Sequence, residues 1–398
     1  MRLITRAVAG RAIAAATTTI LLAAPLALTT TSAEAETKPA RPALKVMTRN
    51  LYLGVDIMRP LDALAALPPD ATDQQKLVAL ARATDTARDI VDTTDFATRS
   101  KLLAEEIATA APDLVGLQEV AMWRSGPLDL INIAVPDATT VDYDWLKMLR
   151  ADLKAEGVPY RPVSVNWLSD VEAPAFSETP ASPDARDVRL TMRDVILKRV
   201  GSDVEVLRHR ERAYQEGLVV EIAGKELDFR RGYQWADVKR GDKKFRFVNT
   251  HLEAFSSDMA YLQMQEMLEG PGSYPGTTII ACDCNSDPLN QDVKVGIDRR
   301  PHSDPYWLAT GEHEFFDTWL QHKPARFGWT SGLSETVDDE TAAGFDHRID
   351  LILARRGDGA PLNVKGGQVT GDELADRDPT TGLWPSDHAG VVMRLRGL

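Results

Sequence analysis

Cysteine is nearly absent from this chain: of 398 residues only Cys282 and Cys284 are thiols. A zinc site needs about four ligands, and there is no second cysteine pair to supply them. Apolar runs of membrane length are missing after Leu28, so the rest of the chain has no transmembrane helix. Positive charge is short as well. Lys and Arg number 46 against 59 Asp and Glu, a net charge of −13 at pH 7. Tight, sequence-blind binding to a phosphate backbone rests on Lys and Arg, so this balance argues against it. No internal repeat on the 20–50-residue scale is present. The apolar and charged fractions, 43% and 26%, are those of an ordinary globular protein.

The amino terminus carries an address. Arg2, Arg6 and Arg11 precede an Ala/Leu/Thr-rich run ending near Leu28, and Ser32-Ala-Glu-Ala35 offers an A-x-A cleavage site. This is the layout of a secretory signal peptide over residues 1–35, with 36–43 as a polar leader. An exported, extracellular and soluble mature chain is expected. Cleavage would remove three Arg and one Glu and leave a net charge of −15. What remains suits one large α/β domain with insertions, or two small domains.

Periodicity divides the remainder. Leu44–Asn50 alternates as a first strand. Residues 58–97, rich in Ala, Asp and Thr, read as a helical insertion over the surface. Apolar positions 102, 103 and 107 mark a helix, and Asp113–Val120 reads as a buried strand. A second amphipathic helix spans Asp144–Glu156, and the Pro/Ser/Glu-rich stretch Asn166–Asp187 reads as a long loop. Strands are expected at 194–199, 233–239, 244–250, 277–282, 348–354 and 390–395, with a helix at 257–268. Helices near both ends and many strands between them point to two packed sheets flanked by helices.

Several of those strands finish on polar groups. Asn50, Glu119, His251 with Glu253, Asp283 with Asn285, and Asp350 each close an apolar run, and Asp387-His388 sits just before the last strand. Polar groups buried singly at strand ends are costly; converging on one cation, they satisfy one another. Carboxylates and carboxamides are hard ligands suited to Mg²⁺, Mn²⁺ or Ca²⁺. In Cys282-Asp-Cys-Asn285 the period of two turns Asp283 and Asn285 to one side and both thiols to the other. The thiols read first as buried and free, packing as small apolar groups. A strained bridge between them and metal ligation are the alternatives.

In order, the chain shows Met47-Thr-Arg-Asn50, Leu117-Gln-Glu119, Asn249-Thr-His-Leu-Glu253, Cys282-Asp-Cys-Asn-Ser286, His347-Arg-Ile-Asp350 and Ser386-Asp-His388. This series resembles the endonuclease/exonuclease/phosphatase (DNase I-like) superfamily over roughly residues 44 to 397. The resemblance implies an α/β, four-layer sandwich with two mixed β-sheets face to face flanked by helices, making 44–398 the catalytic domain. It also implies roles. Glu119, Asn50 and Asp387 would form the divalent-metal site, with Mg²⁺ expected and Mn²⁺ or Ca²⁺ as alternatives. Asp283 and Asn285 would orient the attacking water and hold a phosphate oxygen. His388, oriented by Asp350, would stand at the scissile phosphate with His251 as a second histidine, and Arg193 would contact the phosphate. The family's usual Gly-Asp-aromatic-Asn is replaced here by Cys282-Asp-Cys-Asn285. Trp329, in a segment resembling the family's aromatic-Thr stretch, is read equally as core or as substrate contact.

A secreted, monomeric, metal-dependent phosphoesterase is therefore expected, hydrolysing a phosphodiester by in-line water attack. Its partner would be a nucleic acid, a phospholipid or a small phosphate ester. The alternative is a catalytically silent binding or adhesion module of the same fold.

Overall fold

The computed structural model describes residues 42–397 apart from 134, 223 and 224; the expected signal peptide lies outside the described residues. Eight strands form a first mixed sheet. Its order is β15 (Asn363–Thr370), β16 (Gly390–Arg396), β1 (Leu44–Asn50), β2 (Leu114–Gln118), β6 (Arg186–Arg199), β3 (Met122–Pro127) and β4 (Thr140–Asp144), with β5 (Tyr160–Ala175) also paired to β6. A second sheet of six runs β13 (Phe316–Asp317), β14 (Asp350–Arg355), β12 (Thr277–Asp283), β11 (Lys243–His251), β10 (Gly232–Arg240) and β7 (Val204–Ala213). A small hairpin, β8 (Leu218–Ile222) and β9 (Lys225–Phe229), stands apart from both.

Side-chain alternation explains the layering. Leu44 and Val46 of β1 and Leu114 of β2 share one core with Phe245 and Phe247 of β11, Ile279 and Ala281 of β12, and Ile352 and Ala354 of β14. The two sheets therefore pack face to face. Residues one step out of phase serve the outer layers. Met47, Val115 and Leu117 pack under α2 (Asp73–Thr93), α3 (Phe96–Ala110) and α4 (Trp145–Ala155). Val248, Ile280 and Leu353 pack under α5 (Ser257–Glu269). The result is a four-layer α/β sandwich of two mixed sheets. No helix among the described residues is long and apolar enough to cross a membrane.

Residues 58–97 hold the short α1 (Arg59–Ala65) and α2, and α2 buries Leu80, Ala81, Ala87 and Val91. The stretch expected as a loop, Asn166–Asp187, is instead largely strand. β5 pairs with β6 from Tyr160↔Arg199 to Ala175↔Arg186, with register shifts at Pro162/Ser164 and Trp167/Asp170. Its prolines suggested a loop, but β5 has β6 on one side only. Proline is tolerated on such an edge strand and at bulges, where no ladder N–H is needed. The β5–β6 hairpin also carries two buried carboxylates, Glu172 and Asp187, close to Asp137 of the 128–138 segment. Glu172 Oε2 accepts from Asp137 N and Ala138 N at 2.9 and 2.8 Å, and Asp187 Oδ2 accepts from Asp129 N at 2.7 Å. These carboxylates fasten the 128–138 segment to the hairpin.

Between the sheets, the inward faces are apolar except at one end. There Gln118 Nε2 donates to Asn249 Oδ1 at 2.7 Å and lies 3.1 Å from Thr48 Oγ1, while Asn249 Nδ2 donates to Leu117 O at 3.0 Å. Thr48, Gln118 and Asn249 have no exposed surface. Gly116 makes room for this clasp: a Cβ there would lie 2.4 Å from Asn249 Oδ1.

Asn249→Leu should lower stability by about 2–4 kcal/mol, because it strands the Leu117 carbonyl and the Gln118 amide in a dry core. Urea unfolding would show this as a lower midpoint at unchanged slope, and an unchanged midpoint would contradict the role given to the clasp. A second expectation concerns pH. Burial, reinforced by the charges of Asp137 and Asp129, pushes Asp187 up from 3.8 to about 6. The native state then binds the extra proton, so this group's contribution to stability is present below about pH 4 and is lost as pH rises through about 6. Asp187→Asn, which keeps an acceptor for Asp129 N, should raise Tm at pH 7.5 and give no gain at pH 4; an equal gain at both would contradict this.

Candidate functional site

The polar end of the inter-sheet core is where the sequence motifs meet. Register alone sets the first row: His251 of β11 lies opposite Asp283 of β12, and Asp283 lies opposite Asp350 of β14. All three continue inward-facing alternations, after Phe245 and Phe247, after Ile279 and Ala281, and before Ile352 and Ala354. From the facing sheet, Asn50 ends β1 in register with Gln118 of β2, and the chain then turns at Glu119 with φ +55°. Asn50 Nδ2 donates to Asp283 Oδ2 at 2.9 Å, across the gap between the sheets. Glu119 Oε2 accepts from Leu53 N at 2.8 Å, and its Oε1 lies 4.0 Å from His251 Nε2.

Buried arginines fix the loops around this pocket. Arg99 donates to the carbonyls of Leu51, Tyr52, Thr94 and Pro385, and Arg49 reaches the His388 carbonyl and Glu106. Ser386 Oγ donates to Asn50 O at 3.0 Å and accepts from His388 N at 3.1 Å, which brings the last motif to the first. Thr330 Oγ1 accepts from Asp350 N at 3.1 Å. Trp329 beside it is 38% exposed and stacked on Phe327, so it is not a core residue.

The two histidines are held in opposite states. His388 Nδ1 lies 2.8 Å from Asp350 Oδ2, and its Nε2 lies 3.9 Å from Asp283 Oδ2 and 4.0 Å from Asp387 Oδ1. Burial alone would lower its pKa, but the Asp350, Asp387 and Asp283 charges outweigh burial and hold it well above the usual imidazole value. His251 is paired differently: Arg231 Nη1 lies 2.9 Å from its Nδ1. A guanidinium only donates, so Nδ1 is the acceptor and the proton sits on Nε2, 3.4 Å from Asp283 Oδ2. Burial, then the Arg231 charge, push His251 well below its usual value. Burial also raises Asp283 and Asp387 above the carboxylate range, with Asp350 adding to Asp283 and Glu119 to both.

Three expected residues sit differently from the sequence reading. Arg193 is 2% exposed and spends its donors on Val120 O at 2.9 Å, Ala121 O at 3.1 Å and Asp144 Oδ1 at 2.7 Å. It ties down the chain after Glu119. Its neighbour Asp194 takes the inward position, as the period of two requires. Burial pushes Asp194 up to about 8, against the opposing charge of Arg231. Asn285 lies beyond the strand, at φ +40°; its Nδ2 donates to Leu252 O at 2.9 Å and its N to Asp283 Oδ1 at 3.1 Å. Asn50 uses its amide to hold Asp283 and to accept from Tyr52 N at 2.8 Å.

Cys282 and Cys284 are bonded to each other, and the first reading as free thiols is corrected. Both are fully buried in the core under α5, on the far side from Asp283. Sequence reasoning also passed over Arg231 and Asp194. Arg231 precedes a strand instead of ending one, so no apolar run announced it. Asp194 was visible as the residue after Arg193.

Among the described residues the tightest group offering metal-ligand atoms here is Asp283, Asp350 and His388. The His388–Asp350 contact is a hydrogen-bonded dyad, which leaves the hard oxygens of Glu119 and Asp387, with Asn50 Oδ1 beside them, as the better donor set for a divalent cation.

The chain is similar to an endonuclease/exonuclease/phosphatase family protein from Bacteroides thetaiotaomicron, at 17% identity and a TM-score of 0.50, over 89% of this chain and 98% of that one. A protein described as endonuclease/exonuclease/phosphatase from Beutenbergia cavernae aligns at 21% identity and a TM-score of 0.47, over 89% of this chain and 72% of its own. A mannosyl-6-phosphatase from Bacteroides thetaiotaomicron aligns at 15% identity and a TM-score of 0.48, over 89% and 100%. No protein-family model and no curated protein matches the chain. The chain has the endonuclease/exonuclease/phosphatase fold, and at these identities the likeness is one of fold.

Proposed function

We propose that the protein is a divalent-metal-dependent phosphodiesterase, exported after loss of residues 1–35, whose catalytic domain spans 44–398. One observation carries the reading. Four carboxylates from separate strands and loops, Glu119, Asp283, Asp350 and Asp387, each lie within 4.0 Å of one of two histidines, and His388 hydrogen-bonds Asp350 at 2.8 Å. Asp350 Oδ1 is buried without a partner, and burial raises two of the other three. Such a set is unfavourable alone and suits a hard cation. Glu119 and Asp387 would hold it, beside Asn50 Oδ1, which keeps one lone pair after accepting from Tyr52 N. The bound cation would supply charge stabilisation at the phosphoryl oxygens.

The protein's own groups divide the remaining work. Asp283, kept in place by Asn50, holds the attacking water and takes its proton; a base whose pKa is raised towards neutrality suits that task. His388, charged through Asp350, faces the phosphate and delivers a proton to the leaving oxygen. His251 Nε2–H is a neutral donor on the same side, and Arg231 behind it adds fixed positive charge. Water's oxygen forms the new P–O bond as the bond to the leaving alcohol breaks. The overall acidity favours a compact diester over a long nucleic-acid backbone.

Hydrolysis of bis-p-nitrophenyl phosphate should disappear with EDTA and return with Mg²⁺ or Mn²⁺. Inertness under all of these conditions would favour the silent binding module instead. His388→Ala should lower kcat/KM on the order of 10²–10⁴-fold, as expected for a general acid–base group, with thermal stability retained. A variant as active as the parent would remove His388 from the mechanism.

A further inference from the structure

Arg231, which bonds His251 from behind, also lines a neighbouring cleft that hydrolysis itself does not require. Its near end is lined by Asp194, Arg231 and Glu253, and its middle by Ile57, Val171, Leu190 and Phe229. Those same four residues are walls of a recess beneath α1 and α2, completed by Leu61, Leu80 and Trp123 among others. The recess has a cavity volume of about 80 Å³, and its lining is almost wholly apolar. α1, which roofs it with Pro60 and Leu61, has no fully buried residue of its own and is tied through Arg59 to Glu335.

The near end is polar in a specific way. Asp194 Oδ2 and Glu253 Oε2 are buried and have no hydrogen-bond partner, in side chains only 2% exposed. Glu253 Oε1, by contrast, is committed to Ala254 N and Phe255 N at 2.9 and 3.1 Å. Buried carboxyl oxygens left unmatched are unfavourable, so a ligand that brings them a hydroxyl or amide is favoured. The cleft thus brings together a guanidinium next to His251, two unmatched carboxyl oxygens and an apolar recess. A molecule with an anion, a hydrogen-bonding group and an alkyl chain complements all three.

We propose that this cleft is a substrate subsite for the alcohol portion of an amphiphilic phosphodiester: the phosphate faces Arg231, a hydroxyl or amide near the ester meets Asp194 and Glu253, and an alkyl chain lies in the recess under α1 and α2. The proposal rests on the phosphodiesterase reading and names the substrate class for it. Water would satisfy the polar end, but only an apolar group gains by filling the recess. A nucleic-acid strand, bristling with charge, would find no match there.

The test is a homologous series, the methyl, butyl and octyl p-nitrophenyl phosphodiesters, assayed with Mg²⁺ on the full chain. kcat/KM should rise about threefold per methylene over the first few carbons, as for transfer of a chain into an apolar site. Val171→Trp, which fills the junction, and Leu61→Asp, on the exposed-side cover, should flatten the rise and leave the methyl ester unchanged. A 2-hydroxyoctyl ester should exceed the octyl ester, and equal rates would overturn the assignment of Asp194 and Glu253. A flat series in the parent, or variants that slow methyl and octyl esters alike, would overturn the subsite. Failure to hydrolyse any member would sink the phosphodiesterase reading separately. Calorimetric binding then still decides the subsite: octyl phosphate binding more tightly than methyl phosphate, with the difference lost in Leu61→Asp, supports it, and equal binding refutes it.

Discussion

The hydrogen-bonded clasp between the two sheets is the constraint from which the site follows. Apolar packing between facing sheets is non-directional: the Phe245, Phe247, Ile279 and Ile352 surface would tolerate sliding against Val46 and Leu114. Asn249 removes that freedom by bonding the Gln118 side chain and the Leu117 carbonyl of the opposite sheet, through the gap that Gly116 leaves open. His251 is two residues beyond Asn249 on one strand, and Glu119 is one residue beyond Gln118 on the other. Locking the first pair sets the second pair opposite each other at 4.0 Å. The spacing of the site is thus inherited from a buried amide behind it.

Within the pocket, one helper per histidine decides the proton inventory. Asp350 keeps His388 charged; Arg231 keeps His251 neutral and assigns its tautomer. Two imidazolium ions side by side would repel, and two neutral rings would leave the carboxylates with less compensation. The asymmetric arrangement avoids both. It also leaves the two rings chemically distinct, one an imidazolium and the other a neutral N–H donor. Arg49 and Arg99 contribute at one remove, as donors that pin the 51–53 and 385–388 loops over the ends of β1 and β2.

Much of this was legible because the code for it is simple: an apolar run that stops on a polar residue. That pattern marked Asn50, Glu119, His251, Asp283 and Asp350, which the structure brings into one neighbourhood with His388, and the run of strands between helices near both ends foretold the two packed sheets. What stayed hidden obeys other rules. Arg231 opens a strand, so nothing apolar leads up to it. At 193–194 only Arg193 was singled out, and Asp194, which takes the inward position, was passed over; a single residue of phase exchanges pocket and exterior on a strand. β5 was masked by its own prolines, which local propensity counts against a strand but an edge position with bulges accepts. The clasp was quoted as part of a motif, yet only the opposing sheet reveals what Asn249 touches.

The Cys282–Cys284 link belongs to the same logic of backing. In the resembling family a glycine and an aromatic flank the aspartate. Here both flanking side chains turn away from the pocket, join covalently, and fill the core against Met264, Leu268, Leu351 and Tyr306 as one apolar unit. Asp283 is then carried on a segment closed on itself behind the pocket and hydrogen-bonded by Asn50 in front. A carboxylate that must sit between two histidines at 3.4 and 3.9 Å has little tolerance for drift. Anchoring it on both faces allows the chain to dispense with the usual neighbours, because what the chemistry requires is the position of Asp283 and not the identity of the residues that hold it there.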